Sequence, residues 1–189
     1  MTRSSHKPLR VVNFYGGPGS GKSTTAAGLF YKLKLAGLRV ELVQEYAKDL
    51  TWERRYGALE NQAYVFAKQL QRLHRIEGQV DIAVTDSPLL LSLMYTPAGY
   101  PSTFRPFVLD MISRYENVNY FLSRVKPYQQ YGRTQTEDEA KEIDFATLNA
   151  LDSCGMDYRM IRGDEFALDV VYADVVALGR KDVVRTEAE

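Results

Sequence analysis

One octapeptide constrains this chain more than any other stretch. Gly16-Gly17-Pro18-Gly19-Ser20-Gly21-Lys22-Ser23 fits the pattern G-x-x-x-x-G-K-S/T. It follows Arg10-Val11-Val12-Asn13-Phe14-Tyr15, a β-rich run, and precedes a helical pattern with Ala26, Leu29, Phe30 and Leu33 on one stripe. A strand that turns through glycines into a helix is a phosphate cradle. The glycines let the backbone curl until successive N–H groups point at one anion, and the helix start adds partial positive charge. Gly16 through Ser23, with Thr24 beside them, are the expected ATP-binding residues. Lys22 is expected to reach the β- and γ-phosphates, and the Ser23 hydroxyl to ligate Mg²⁺. The alternative is a glycine-rich turn without a ligand.

The rest of the chain extends that beginning into an α/β fold. A helix is predicted over 22–36, closing at Gly37, and a second strand over 39–43. A second helix is expected over 60–76, with Ala63, Phe66, Leu70 and Leu73 inward. Strands follow over 81–85, 120–122 and 158–161, then a helix from Glu165 to about Leu178, with residues 181–189 expected to fray. Strands alternating with helices predict five parallel strands with helices on both faces. No repeat or linker divides the sequence, so residues 1–189 are expected to form one P-loop domain.

Composition excludes several classes. One cysteine, Cys154, rules out an internal disulfide, and two histidines, His6 and His74, give no zinc pattern. No run of about 18 apolar residues spans a membrane, and no apolar block follows Met1, so a cytoplasmic protein is expected. Net charge is zero, yet residues 1–133 hold 18 Lys/Arg against 10 Asp/Glu, and residues 134–189 hold 6 against 14. The basic front suits an anionic ligand; two unequal solvated faces are the alternative.

Three further sites follow from position. Asp86 ends the third strand and is expected to share Mg²⁺ with Ser23; a helix N-cap before Pro88 is the alternative. Glu45 ends the second strand and is expected to orient or deprotonate an acceptor hydroxyl, with Asp49 and Glu53 as weaker choices. The span from Arg124 to Thr136 resists assignment and is read as a lid, with Arg133 preferred over Arg124 as its phosphate-screening cation. Gly132 is a candidate hinge, and Thr136 with Glu139 forms a capping box. Acceptor loops are placed at 46–62 and 94–107, where Trp52, Arg54, Arg55 and Tyr56, and then Tyr95, Tyr100, Phe104 and Arg105, combine stacking surface with charge. Lys68, Arg72 and Arg75 form a row that is either a solubilising face or a path for a DNA backbone.

No Asn-Lys-x-Asp tetrad occurs, and Asp86 precedes Ser-Pro-Leu, against a GTPase; the chain is short for a motor ATPase. Residues 11–36 with Glu45 and Asp86 resemble nucleoside and nucleotide kinases of the thymidylate-kinase type. Glu45-Tyr46-Ala47-Lys48, Asn61-Gln62-Ala63-Tyr64 and Asp86-Ser87-Pro88-Leu89 resemble the ribosylnicotinamide-kinase-like branch and the 5-hydroxymethyluracil DNA kinases of bacterial viruses. The likeness covers roughly residues 10–165. It implies ATP and Mg²⁺, and transfer to the base hydroxymethyl group in viral DNA within a host cytoplasm. Free nucleosides, ribosylnicotinamide and nucleoside monophosphates remain alternative acceptors, and a switch or accessory ATPase acting on a protein the rival class. At 86–88, Asp-Ser-Pro stands where ordinary thymidylate kinases have Asp-Arg-x, their monophosphate-binding arginine. The oligomeric state is left open.

Overall fold

A computed structural model describes residues 7–125, Tyr128 and 136–186. Five strands form one parallel sheet in the order β2-β3-β1-β4-β5. They are β1 (Arg10–Tyr15), β2 (Val40–Val43), β3 (Ile82–Thr85), β4 (Glu116–Ser123) and β5 (Arg159–Arg162). β1 is buried at all six positions, as expected of a strand with helices over both faces.

Alternate residues feed two cores. On one face Val12, Phe14, Val84 and Leu122 meet α1 (Lys22–Leu35) and α8 (Ala167–Thr186) through Leu29, Leu33, Val171 and Val175. On the other, Val11, Tyr15, Ala83 and Phe121 meet four helices: α4 (Gln62–His74), α5 (Leu91–Met94), α6 (Phe104–Ile112) and α7 (Glu137–Ser153). That face supports a polar seam. Asn13 Nδ2 donates to Asn117 Oδ1 at 3.0 Å and Asn119 Oδ1 at 2.9 Å. Each buried amide thereby has a partner, which buried polar groups require.

α1 stops where the glycine predicts. Gly37 takes φ +78°, and Leu38 N–H reaches back to the Leu33 carbonyl at 3.1 Å. At α7 the capping box forms: Glu139 N–H donates to Thr136 Oγ1, and Thr136 N–H to Glu139 Oε2 at 2.6 Å.

Several expected boundaries move. The helix placed over 60–76 is two, α3 (Tyr56–Glu60) and α4, divided at Asn61, whose side chain accepts from Tyr64 N–H. Ala63 is exposed, and Gln62, Val65 and Gln69 are buried beside Phe66 and Leu73. The segment 46–62, expected as a loop, is largely α2 (Tyr46–Trp52) and α3. Within 94–107, α6 begins at Phe104; Pro106 lies in its first turn, where a missing N–H costs nothing. β4 is longer than predicted, and α8 continues to Thr186 through residues expected to fray.

Candidate active site

The octapeptide forms the loop that joins β1 to α1. Gly16, Gly19 and Gly21 hold φ values of +128°, +81° and +100°, which side-chain-bearing residues rarely adopt. Gly21 is the N-cap of α1; no side chain caps the helix and no acid stands in its first turn. The first N–H groups of that helix are therefore left without a side-chain cap next to the loop, the arrangement that accepts phosphate. Ser23 and Thr24 are exposed at this end, and Ser20 Oγ is buried without a hydrogen-bond partner among the described residues.

Lys22 Nζ donates to the carbonyls of Gly16, at 2.5 Å, and Gly17, at 3.0 Å. Burial pushes its ammonium below the ordinary value, and Arg124 adds to that; Glu45, Asp86 and Asp144 pull it back up. Lys22 is thus the cation in a field of three carboxylates. Glu45 moves the other way. Burial raises its carboxyl above the ordinary value, Asp86 raises it further, and Lys22 and Lys48 oppose.

The structure therefore brings Lys22, Glu45 and Asp86 together at the C-terminal ends of three adjacent strands, where open α/β sheets bind ligands. Asp86 caps no helix; the next, α5, begins at Leu91. Arg133 lies outside the described residues, as do Lys126, Gly132 and most of the span read as a lid.

Glu45 is held by neighbours that the sequence disguised. Tyr46 N–H donates to Gln69 Oε1 at 2.9 Å, and Gln69 Nε2 donates to the Gln44 carbonyl at 3.3 Å. Arg72 Nη1 also donates to that carbonyl at 2.9 Å, and Arg72 pairs with Asp49. Two side chains of α4 thus clamp the residues on either side of Glu45. Arg72 braces this segment, with Asp49 as its counter-ion.

The aromatic set divides as well. Tyr100 OH accepts from Ala63 N–H at 2.8 Å, and its ring meets Phe104 at 4.9 Å. Phe104 packs against Phe66, and Arg105 bonds the Ser153 carbonyl at 3.1 Å, so these three build structure. Trp52, Tyr56 and Tyr95 stay 72%, 57% and 54% exposed. Arg55 pairs with Glu53 at 3.3 Å. Arg54, the one described non-glycine at positive φ (55°), closes α2, with Arg55 N–H returning to the Leu50 carbonyl.

Magnesium chemistry suits the donor set. Among the described residues no group of three or more His, Cys, Asp or Glu could hold a metal ion. Mg²⁺ keeps most of its water and needs only one or two protein oxygens beside phosphate. Ser23 and Asp86 are two oxygen donors that could supply that number. No helix among the described residues is long and apolar enough to cross a membrane.

A family profile described as AAA domain matches residues 11–166. No curated protein matches the sequence. Among solved structures, a thymidylate kinase from Ehrlichia chaffeensis is similar with a TM-score of 0.57 at 14% identity, over 92% of this chain and 100% of that one. At that identity the likeness shows the fold alone, the parallel α/β arrangement described above.

Proposed function

The chain belongs to the AAA-domain family, and on that premise we propose that it is a MgATP-dependent kinase acting on a hydroxyl of a nucleotide-like acceptor. The observation that carries this reading is the glycine loop between β1 and α1, with Lys22 at its end, on the sheet edge where Glu45, the N-cap of α2, and Asp86, directly after β3, also stand; burial and Asp86 raise the Glu45 carboxyl above its ordinary value. A hydrolase needs a group to hold water; a kinase needs a base that meets an acceptor on the open side of the loop. Glu45, the N-cap of α2 just after β2, interacts electrostatically with Lys22.

The transfer then runs as follows. The acceptor oxygen bonds to the γ-phosphorus as the bond to the β–γ bridging oxygen breaks, and ADP leaves. The acceptor proton passes to Glu45. Lys22 offsets charge on the β- and γ-phosphates, and the α1 N-terminus offsets more. Bound Mg²⁺, held by Ser23 and Asp86, would spread the charge on the transferring group.

The acceptor we favour is the 5-hydroxymethyl group of 5-hydroxymethyluracil in DNA. Two things support it: the resemblance carried by residues 45–48, 61–64 and 86–89, and the free surfaces of Trp52, Tyr56 and Tyr95. Exposed aromatic faces suit stacked bases of a strand. A base within a duplex must first leave the stack to reach Glu45.

The test incubates the chain with γ-labelled ATP and a panel of hydroxymethyluracil DNA, thymine DNA, free nucleosides, ribosylnicotinamide and monophosphates. Label in hydroxymethylated DNA alone supports the favoured acceptor. Label only in small molecules removes it and keeps the kinase. Phosphate release that ignores every acceptor removes both. Lys22→Ala is expected to abolish transfer with the fold retained.

A further inference from the structure

Asp144 takes no part in the chemistry above, yet both of its carboxylate oxygens are engaged. Oδ1 accepts from the Gly17 backbone N–H, and Oδ2 accepts from Arg124 Nη2 at 2.9 Å. Arg124 donates in turn through Nη1 to the Pro18 carbonyl. Nη2 also makes a longer contact with the Ala140 carbonyl at 3.4 Å, and the guanidinium lies 5.5 Å from the Tyr128 ring centre. The pair is nearly dry: the two side chains are 10% and 18% exposed. The end of β4, the second turn of α7 and the phosphate loop therefore meet in one ionic knot.

The fit is close. A Cβ on Gly17 would stand 2.5 Å from the Ala140 carbonyl and 2.7 Å from Asp144 Oδ1. One on Gly19 would stand 3.0 Å from Arg124 Nη1. Close approach of this kind places the guanidinium against the outer turn of the loop, at Pro18 and Gly19.

A carboxylate near a phosphate site repels the ligand unless a cation offsets it. Asp144 and Arg124 offset each other. Breaking such a buried pair leaves an uncompensated charge. Arg124 also has a donor to spare: Nε is buried without a hydrogen-bond partner among the described residues. A guanidinium that is pre-aimed, with donors left over, is well suited to a phosphate.

We propose that Asp144 is a positioning residue for triphosphate capture: it braces the loop at Gly17 and aims Arg124 across Pro18 and Gly19 to contact a phosphate of the nucleotide. This rests on the nucleotide-binding reading above. Its substance is that Asp144 acts through Arg124, so the two form one unit.

Calorimetric titration of the full chain with MgATP tests it. Arg124→Gln and Asp144→Asn should each raise Kd about tenfold or more, the worth of one charge-assisted hydrogen bond. The double variant should bind no worse than the weaker single one, because the second change removes nothing further. Arg124→Lys, which keeps the charge and loses the planar fork, should fall between wild type and Arg124→Gln. Losses that multiply in the double variant overturn the proposal. So does an Asp144→Asn protein with a lower melting temperature and wild-type Kd, the signature of a strap that only stabilises. If Asp144→Asn does not fold, wild-type affinity in Arg124→Lys overturns it equally. Failure of the wild-type chain itself to bind MgATP defeats the kinase reading instead, so the two failures are distinguishable.

Discussion

Gly163→Ala probes the phosphate loop from outside its motif. Gly163 follows β5, is buried, and donates its N–H to the Ser123 carbonyl at 2.9 Å. A Cβ there would stand 2.3 Å from the Ser20 carbonyl and 3.1 Å from the Ser123 carbonyl. Both are backbone atoms, so no side chain can swing away. Bringing the Ser20 contact to 3.0 Å needs at least 0.7 Å of relative movement, and Ser20 lies inside the cradle. Overpacking of this kind costs about 1–3 kcal/mol. At about 2–4 °C per kcal/mol for a chain of this size, the melting temperature should fall about 2–12 °C. The functional loss should be larger than the stability loss suggests. A displacement near 1 Å at a reacting centre costs about 10²-fold in rate. The assay is a thermal melt beside single-turnover transfer from MgATP, both well below the melting transition. A folded Gly163→Ala protein with wild-type MgATP affinity and rate would refute the argument that this contact sets the loop's position.

Three other expectations follow from the same geometry. Transfer should lose rate on acidification with a limb above the range in which an ordinary glutamate titrates, because the raised Glu45 carboxyl takes up its proton at higher pH. Glu45→Gln should cut the rate by about 10²-fold or more and erase that limb; a retained limb in the pH–rate profile would assign it to another group. Asn13→Ala should cost about 1–3 kcal/mol in urea unfolding, since it leaves the amides of Asn117 and Asn119 short of a buried donor, and should leave MgATP affinity unchanged. Thr136→Ala should cost about 0.5–2 kcal/mol through loss of the α7 cap, read by the same unfolding curve.

Much of the fold is legible in the sequence because its signals are local. A β-branched strand, a glycine turn and an amphipathic helix are adjacent in the chain, so the phosphate cradle needs no distant partner to be recognised. Glu45 and Asp86 are legible for the same reason: each follows a strand within two residues, and parallel strands put such ends on one edge of the sheet. Short helices without a clear apolar stripe were not legible. α2 and α3, of seven and five residues, lie where charges, aromatics and Gly57 suggest a loop. Apolarity alone does not mark the inner face of α4, where Gln62 and Gln69 are buried beside Val65, Phe66 and Leu73. Gln69 is buried since it satisfies Tyr46 N–H and the Gln44 carbonyl, a fact of contact and not of pattern.

Local order, then, was enough to expect an anion, to place its cradle along the chain and to name the lysine proposed to hold it. Folding alone decided what surrounds that lysine. Arg124 and Asp144 are twenty residues apart, with nothing in their spacing to pair them, and Gly163 reaches the loop from a strand at the far edge of the sheet. The physical reason is that hydrogen bonds and steric exclusion act over a few ångströms of space. Sequence patterns report those distances only between neighbours along a helix or strand. Everything else waits on how the strands are ordered.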